Sequence, residues 1–186
     1  MAVEIIDNFA NIQEQLIINE YIKNDYSYGF NNTTVPTDLK KQKHTKFTID
    51  YPQFVKTIFT SDESDCFIDS KFFPLIYSLL HKNKLSNYFI HRIKINTTFP
   101  YPNSDKNNHG PIHDDFNVLD KKGKSIIYYL NNSDGDTIFF DEKLKITKRV
   151  APKQGRAIIF NSDINHAGCC PINSPYRQII NFVLYK

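Results

Sequence analysis

Residues 125–160 read SIIYYLNNSDGDTIFFDEKLKITKRVAPKQGRAIIF. Runs rich in β-branched and aromatic residues at 125–130, 137–140, 146–150 and 157–160 are each too short for an ordinary helix. Turn chemistry separates them at Asn132-Ser133-Asp134-Gly135 and Pro152-Lys153-Gln154-Gly155. Working outward, 88–97 and 177–185 read as further strands, the latter entered through a turn at 171–175. Toward the N-terminus the period changes. After a short strand at 3–6, residues 11–23 space Ile12, Leu16, Ile17 and Tyr21 as the stripe of an amphipathic helix. A second helix is predicted over 70–83, with Phe72, Phe73, Ile76, Leu79 and Leu80 as its apolar face and Asp69 or Ser70 as N-cap. Residues 24–60 are polar and irregular, with one short helix predicted at 52–59. Helices followed by many short strands predict an α+β fold: a double-stranded β-helix, or jelly roll, with N-terminal helices packed on the outside of the major sheet.

The length of 186 residues suits one domain, with 1–87 as helical and irregular support and 88–186 as the jelly-roll core. A hydrophobic content of 40% supplies an ample interior. The net charge of +3 comes without a basic cluster, which disfavours nucleic acid as a partner. Three cysteines (Cys66, Cys169, Cys170) are an odd count, two of them adjacent and poorly placed to pair, so a reducing compartment is expected. The first residues lack a cationic and apolar leader, and no apolar run reaches the roughly 18 residues of a membrane span. The expectation is a cytoplasmic protein without a membrane partner.

The residues that promise chemistry are His113 and Asp115, one residue apart, and His166 about fifty residues on. Two imidazoles and a carboxylate supply one face of an octahedron around iron(II) and leave positions open for a cosubstrate and dioxygen. If His113 and Asp115 lie on a strand, residues two apart face the same side, and Asp114 points away. These three ligands leave the ion one net positive charge, which favours an anionic chelating cosubstrate with its own cation deeper in the barrel. Arg177 fits that role, because its planar fork can hold a carboxylate through two charge-assisted hydrogen bonds.

Beyond that spacing, residues 101–185 resemble the 2-oxoglutarate and iron(II)-dependent oxygenases, in particular the prolyl 4-hydroxylase-like branch and its small marine-phage-type members. The resemblance rests on YP at 101–102, HGPIHDDF at 109–116, the quoted strands at 125–140 and 150–160, NHAGCCPI at 165–172 and YRQIINF at 176–182. It implies that His113, Asp115 and His166 hold Fe(II), and that Arg177 binds the distal carboxylate of 2-oxoglutarate with support from the Tyr129 hydroxyl. Tyr101 would line the cosubstrate pocket. Asn181, on the same strand face as Arg177, would touch cosubstrate or water. Many relatives have Lys where this chain has Arg, a departure that bears on cosubstrate grip and not on reaction type.

The implied reaction consumes 2-oxoglutarate and dioxygen, releases succinate and carbon dioxide, and hydroxylates a peptidyl or amino-acid side chain, proline first among them; ascorbate is an auxiliary candidate. Because related halogenases have a small residue in place of the carboxylate ligand, Asp115 favours hydroxylation. A viral source, with the host cytoplasm as location, is part of the same resemblance. Three alternatives stay open: a cupin-like metal-binding jelly roll without oxygenase activity, an oxygenase acting on nucleic acid, and a zinc site using Cys169 and Cys170. His109 reads as a loop histidine without a metal role. The segments 24–60 and 102–112, which would select the substrate, carry no legible signature.

Overall fold

The computed structural model describes residues 2–24, 27–33, 42–62, 66–115 and 123–186. Thirteen elements follow in order: β1 (Val3–Ile6), α1 (Ile12–Lys23), β2 (Gly29–Asn31), β3 (Gln53–Thr60), β4 (Phe67–Ile68), α2 (Phe73–Lys82), β5 (Phe89–Thr98), β6 (Gly123–Tyr129), β7 (Thr137–Phe140), β8 (Ile146–Val150), β9 (Ala157–Asn161), β10 (His166–Gly168) and β11 (Arg177–Tyr185). The major sheet runs β1-β9-β6-β11-β5-β3-β2, with β4 on β3, and a minor sheet runs β10-β7-β8. Every pairing in both sheets is antiparallel. Isolated bridges His113↔His166, Lys43↔Ile112 and Thr48↔His109 carry the minor layer beyond β10. The predicted jelly roll with helices outside its major sheet is what forms.

Alternation along the central strands builds two cores. Ile126 and Tyr128 of β6, with Ile180, Phe182 and Leu184 of β11, pack against Ile18 of α1 and Ile76, Leu79 and Leu80 of α2. The opposite face places Ile127, Tyr129, Phe139, Val150, Ile158, Phe160 and Ile179 between the sheets. Burial on both faces explains why SIIYY reads as an unbroken apolar run and not as an alternation of apolar and polar residues.

Three local expectations are corrected. Residues 52–59 are no helix: they lie almost wholly in β3, paired with β5, because Val55, Thr57 and Phe59 are β-formers whose hydrogen bonds an existing sheet edge can satisfy. The predicted stripe of α1 mostly faces water, with Ile12 74% and Leu16 63% exposed, while Ile18 is buried. An Asn11–Glu14 capping box and the Glu14–Lys82 ion pair to α2 accompany that rotation of the helix. The N-cap of α2 is Phe72, without a side-chain bond; Asp69 instead accepts from the backbone N–H groups of Lys71 and Phe72 one turn earlier.

Candidate metal centre and cosubstrate pocket

His113, Asp115 and His166 converge between the two sheets, each offering a donor atom within 4.8 Å of the others. The route differs from the strand argument. His113 makes only an isolated bridge, and Asp115 sits in a bend, held by its N–H donating to Ser162 O at 2.8 Å. Backbone bonds His113 N to His166 O (3.1 Å) and His166 N to His113 O (2.9 Å) clamp the two histidines together. Asp114 is outside the cluster.

The donor set fits a divalent ion. His113 Nδ1 lies 3.1 Å from Pro111 O, and His166 Nδ1 lies 2.9 Å from Ile164 O. A carbonyl can only accept, so each Nδ1 carries the proton and each Nε2 presents its lone pair, the arrangement that orients metal-binding imidazoles. His166 Nε2 stands 3.8 Å from Asp115 Oδ2. Donors sharing one ion at about 2.0–2.2 Å are necessarily no more than about 4.4 Å apart. Ser125 Oγ donates to Asp115 Oδ2, and Arg92 Nη2 lies 3.9 Å from Oδ1.

Burial, aided by the neighbouring His166, pushes the His113 imidazole down to about 4. Burial opposes ionisation of Asp115, but His166, His113, Arg92 and the Ser125 hydroxyl together hold it below the usual carboxylate range. Burial also lowers His91 and His109. Between about pH 4 and the unfolded histidine value of about 6.5, the unfolded chain therefore binds more protons than the folded one. Stability is full above that window and is lost as the pH falls through it. The melting temperature of the metal-free protein should drop steadily from pH 7 to pH 4.5; a flat profile would contradict buried neutral histidines.

A narrow cavity of about 70 Å³ continues from His113 and His166 to Arg177, walled by Tyr51, Gln53, Asn96, Ile127, Ile179 and Asn181 among others. Arg177 is 4% exposed. Its Nε donates to Gly135 O at 2.8 Å and its Nη2 to Thr137 Oγ1 at 2.9 Å. Gly135 is needed there, because a Cβ would come within 2.6 Å of Cys169 O and 2.9 Å of Arg177 Cδ. Tyr129 Oη also donates to Thr137 Oγ1 (2.8 Å), and its ring lies 5.9 Å from the guanidinium. With both acceptor positions of the Thr137 hydroxyl in use, its own proton is left for another acceptor. Burial raises the Tyr129 hydroxyl to about 12, so it remains a neutral donor. Among the described residues no carboxylate pairs with Arg177.

Asn181 lines the cavity with its Oδ1 buried and unpartnered, as is that of Asn96. Tyr101 is not among the residues lining the cavity; it is 37% exposed, with its ring 6.4 Å from that of Tyr51. Tyr51 itself lines the cavity and donates to Gly168 O at 2.8 Å. Sequence reasoning passed over Tyr51, Ser125, Thr137 and Asn96. Ser125 and Thr137 each open a quoted strand and were traceable by period two, whereas Tyr51 lies in a segment read as irregular. His109 is buried and structural: its ring joins Gly110 O (2.7 Å) and Thr45 Oγ1 (3.1 Å), fastening residues 42–50 beside the site. Cys169 and Cys170 are buried free thiols outside the ligand cluster. A larger hollow of about 860 Å³ lies beside α1 and β4, but its buried Lys56 and half-buried Asp69 are satisfied by each other, Ser27 and Tyr21.

The fold and this His-Asp-His and arginine arrangement define a class, the 2-oxoglutarate-dependent dioxygenases. Residues 100–185 match the family model described as the 2OG-Fe(II) oxygenase superfamily. That stretch is a little under half of the chain, and the superfamily it resembles uses Fe(II), 2-oxoglutarate and dioxygen. No curated protein matches the sequence. Solved structures share the fold at low identity. A 2OG-Fe(II) oxygenase family oxidoreductase from Burkholderia pseudomallei has a TM-score of 0.73 at 12% identity, covering 98% of this chain and 85% of that one. A Pseudomonas putida prolyl-4-hydroxylase scores 0.59 at 14% identity, covering 99% and 92%. A viral collagen prolyl hydroxylase from Paramecium Bursaria Chlorella virus-1, in complex with 2OG, scores 0.54 at 18% identity, covering 100% and 97%. Among the described residues no helix is long and apolar enough to cross a membrane.

Proposed function

We propose that the protein hydroxylates a peptidyl or amino-acid side chain, proline being the first candidate, with His113, Asp115 and His166 holding Fe(II) and Arg177 anchoring 2-oxoglutarate. The observation that carries this reading is a buried guanidinium with no carboxylate partner among the described residues, lining one narrow cavity with His113 and His166, whose donor atoms and that of Asp115 lie within 4.8 Å of one another. A buried unpaired cation is costly, and an anionic ligand removes that cost. An iron(II) ion held by His113, Asp115 and His166 would supply dioxygen activation coupled to decarboxylation of the cosubstrate. The protein's own residues do the rest. Arg177, with Tyr129 and Thr137, fixes the distal carboxylate and so orients the keto-acid end toward the triad. Ser125 and Arg92 hold the Asp115 carboxylate, while Phe139 and Phe160 pack against the His166 ring and keep that side dry. The fold shared with prolyl hydroxylases supports proline as the first substrate to try, by analogy alone.

The test is succinate release from 2-oxoglutarate in air with iron(II) and ascorbate, across proline-containing peptides, free amino acids and nucleotides. Stimulation by a peptide or amino acid with a mass gain of one oxygen is expected. Turnover at background for all of them would favour a metal-binding jelly roll without oxygenase activity.

A further inference from the structure

Tyr129 is the tyrosine expected beside the cosubstrate, yet neither it nor Thr137 lines the cavity. Both are fully buried, and the Tyr129 hydroxyl is engaged by Thr137 Oγ1, so the pair braces the guanidinium from behind. The tyrosine that does line the cavity is Tyr51, 3% exposed, which lies outside the matched stretch 100–185. It ends a segment, 42–51, that is laid along residues 109–112 just before the first metal ligand. Backbone bonds join Lys43 and Ile112 in both directions, Ile49 N–H donates to His109 O, and His109 N–H donates to Phe47 O. Lys43 Nζ adds a bond to Asn165 Oδ1, beside His166.

Gly168 brings the Tyr51 hydroxyl to the guanidinium. A Cβ at 168 would lie 3.4 Å from Arg177 Nη1 and 3.6 Å from Nη2, so the missing side chain leaves the space over that edge open. The Gly168 carbonyl accepts from Tyr51 Oη at 2.8 Å. It also accepts from Gly110 N–H at 2.8 Å, and therefore keeps a partner if the tyrosine turns away. Arg177 directs Nε to Gly135 O and one Nη2 proton to Thr137, which leaves Nη1 and the second Nη2 proton for a carboxylate. A carboxylate has about four acceptor sites, more than that edge fills, so a further donor has a place. Burial holds the Tyr51 hydroxyl well above its ordinary range in spite of Arg177, and it stays a neutral donor. Turning that proton from a neutral carbonyl to an anion exchanges an ordinary hydrogen bond for one roughly twice as strong.

We propose that Tyr51 is a cosubstrate-binding residue: its hydroxyl turns from Gly168 O to the distal carboxylate held by Arg177, and the cosubstrate thereby ties the segment 42–51 to the site. The assignment rests on Arg177 as the cosubstrate anchor and adds to it a residue from the front of the chain.

Binding is read by calorimetry on the manganese(II)-loaded protein, without turnover. The two ligands are 2-oxoglutarate and 2-oxopentanoate, the same carbon chain with a methyl group in place of the distal carboxylate. Wild type should prefer 2-oxoglutarate by about a hundredfold or more; near-equal affinities would overturn the Arg177 reading itself. Tyr51→Phe keeps the ring beside Tyr101 and leaves Gly168 O its bond from Gly110, so the fold is retained. In that variant the preference should fall about tenfold, wholly through weaker 2-oxoglutarate binding. A tyrosine that only shapes the pocket would weaken both acids alike and leave their ratio unchanged. Hydrogen exchange supplies the second readout: 2-oxoglutarate should slow exchange at the Lys43 and Ile49 amides in wild type and much less in Tyr51→Phe, while 2-oxopentanoate should do so in neither. The proposal is overturned if the preference in Tyr51→Phe stays within about threefold of wild type. Equal protection of the segment by 2-oxoglutarate in both proteins would overturn it too.

Discussion

Asp115→Ala is expected to abolish iron(II) uptake and take 2-oxoglutarate turnover to background while the sheet remains folded. Asp115 is the single carboxylate of the triad, and removing it leaves two neutral imidazoles and the nearby Arg92 to receive a dication. Loss of even an outer partner of a metal ligand costs about 10- to 100-fold in affinity or activity, so loss of a ligand costs more. The backbone survives for a separate reason: the Asp115 N–H to Ser162 O bond does not involve the side chain. The Ser125 hydroxyl, deprived of its acceptor, should account for a stability loss of about 1–3 kcal/mol. Anaerobic metal titration, succinate assay and circular dichroism check the three parts. An Asp115→Ala protein that still turned over would move the carboxylate ligand elsewhere.

The Arg177→Ala protein should show the complementary pattern, with iron(II) uptake intact and 2-oxoglutarate bound about thirtyfold more weakly, on the order of 2 kcal/mol or more. The guanidinium is held from behind by Gly135 O and Thr137 Oγ1, so its geometry is set before any ligand arrives. Arg177→Lys keeps the charge but not the planar fork, and an intermediate affinity is expected. Equal cosubstrate affinity in wild type and Arg177→Ala, measured by calorimetry with a redox-inert divalent ion, would show that another cation anchors the dicarboxylate.

Most strands from 88 onward were legible because each has a local cause, whereas the three-residue β10 was not among those read from the sequence. Short β-branched runs cannot continue through Asn132-Ser133-Asp134-Gly135 or Pro152-Lys153-Gln154-Gly155, and β7, β8 and β11 fall where their composition puts them. The front of the chain was less legible because its conformation is settled by partners. β3 is a strand because β5 offers it an edge, and no local period announces that. The exposed Ile12 and Leu16 show the same limit: hydrophobic spacing defines a stripe, but the Glu14–Lys82 tie and the packing of Ile18 accompany the choice of which face meets the sheet.

The sequence by itself determined the alternation that makes two buried faces, the turns that end each strand, and the residue types a ferrous centre and a dicarboxylate require. Only the tertiary structure decided that His113 and His166, fifty residues apart, share a pair of backbone bonds, and that Ser125 and Arg92 flank Asp115. It alone decided that Tyr51 and not Tyr101 lines the cavity. The physical reason is range. Backbone conformation in short strands and turns follows from neighbours a few residues away, whereas a binding site is a convergence of side chains whose distances are set by how the sheets stack and register.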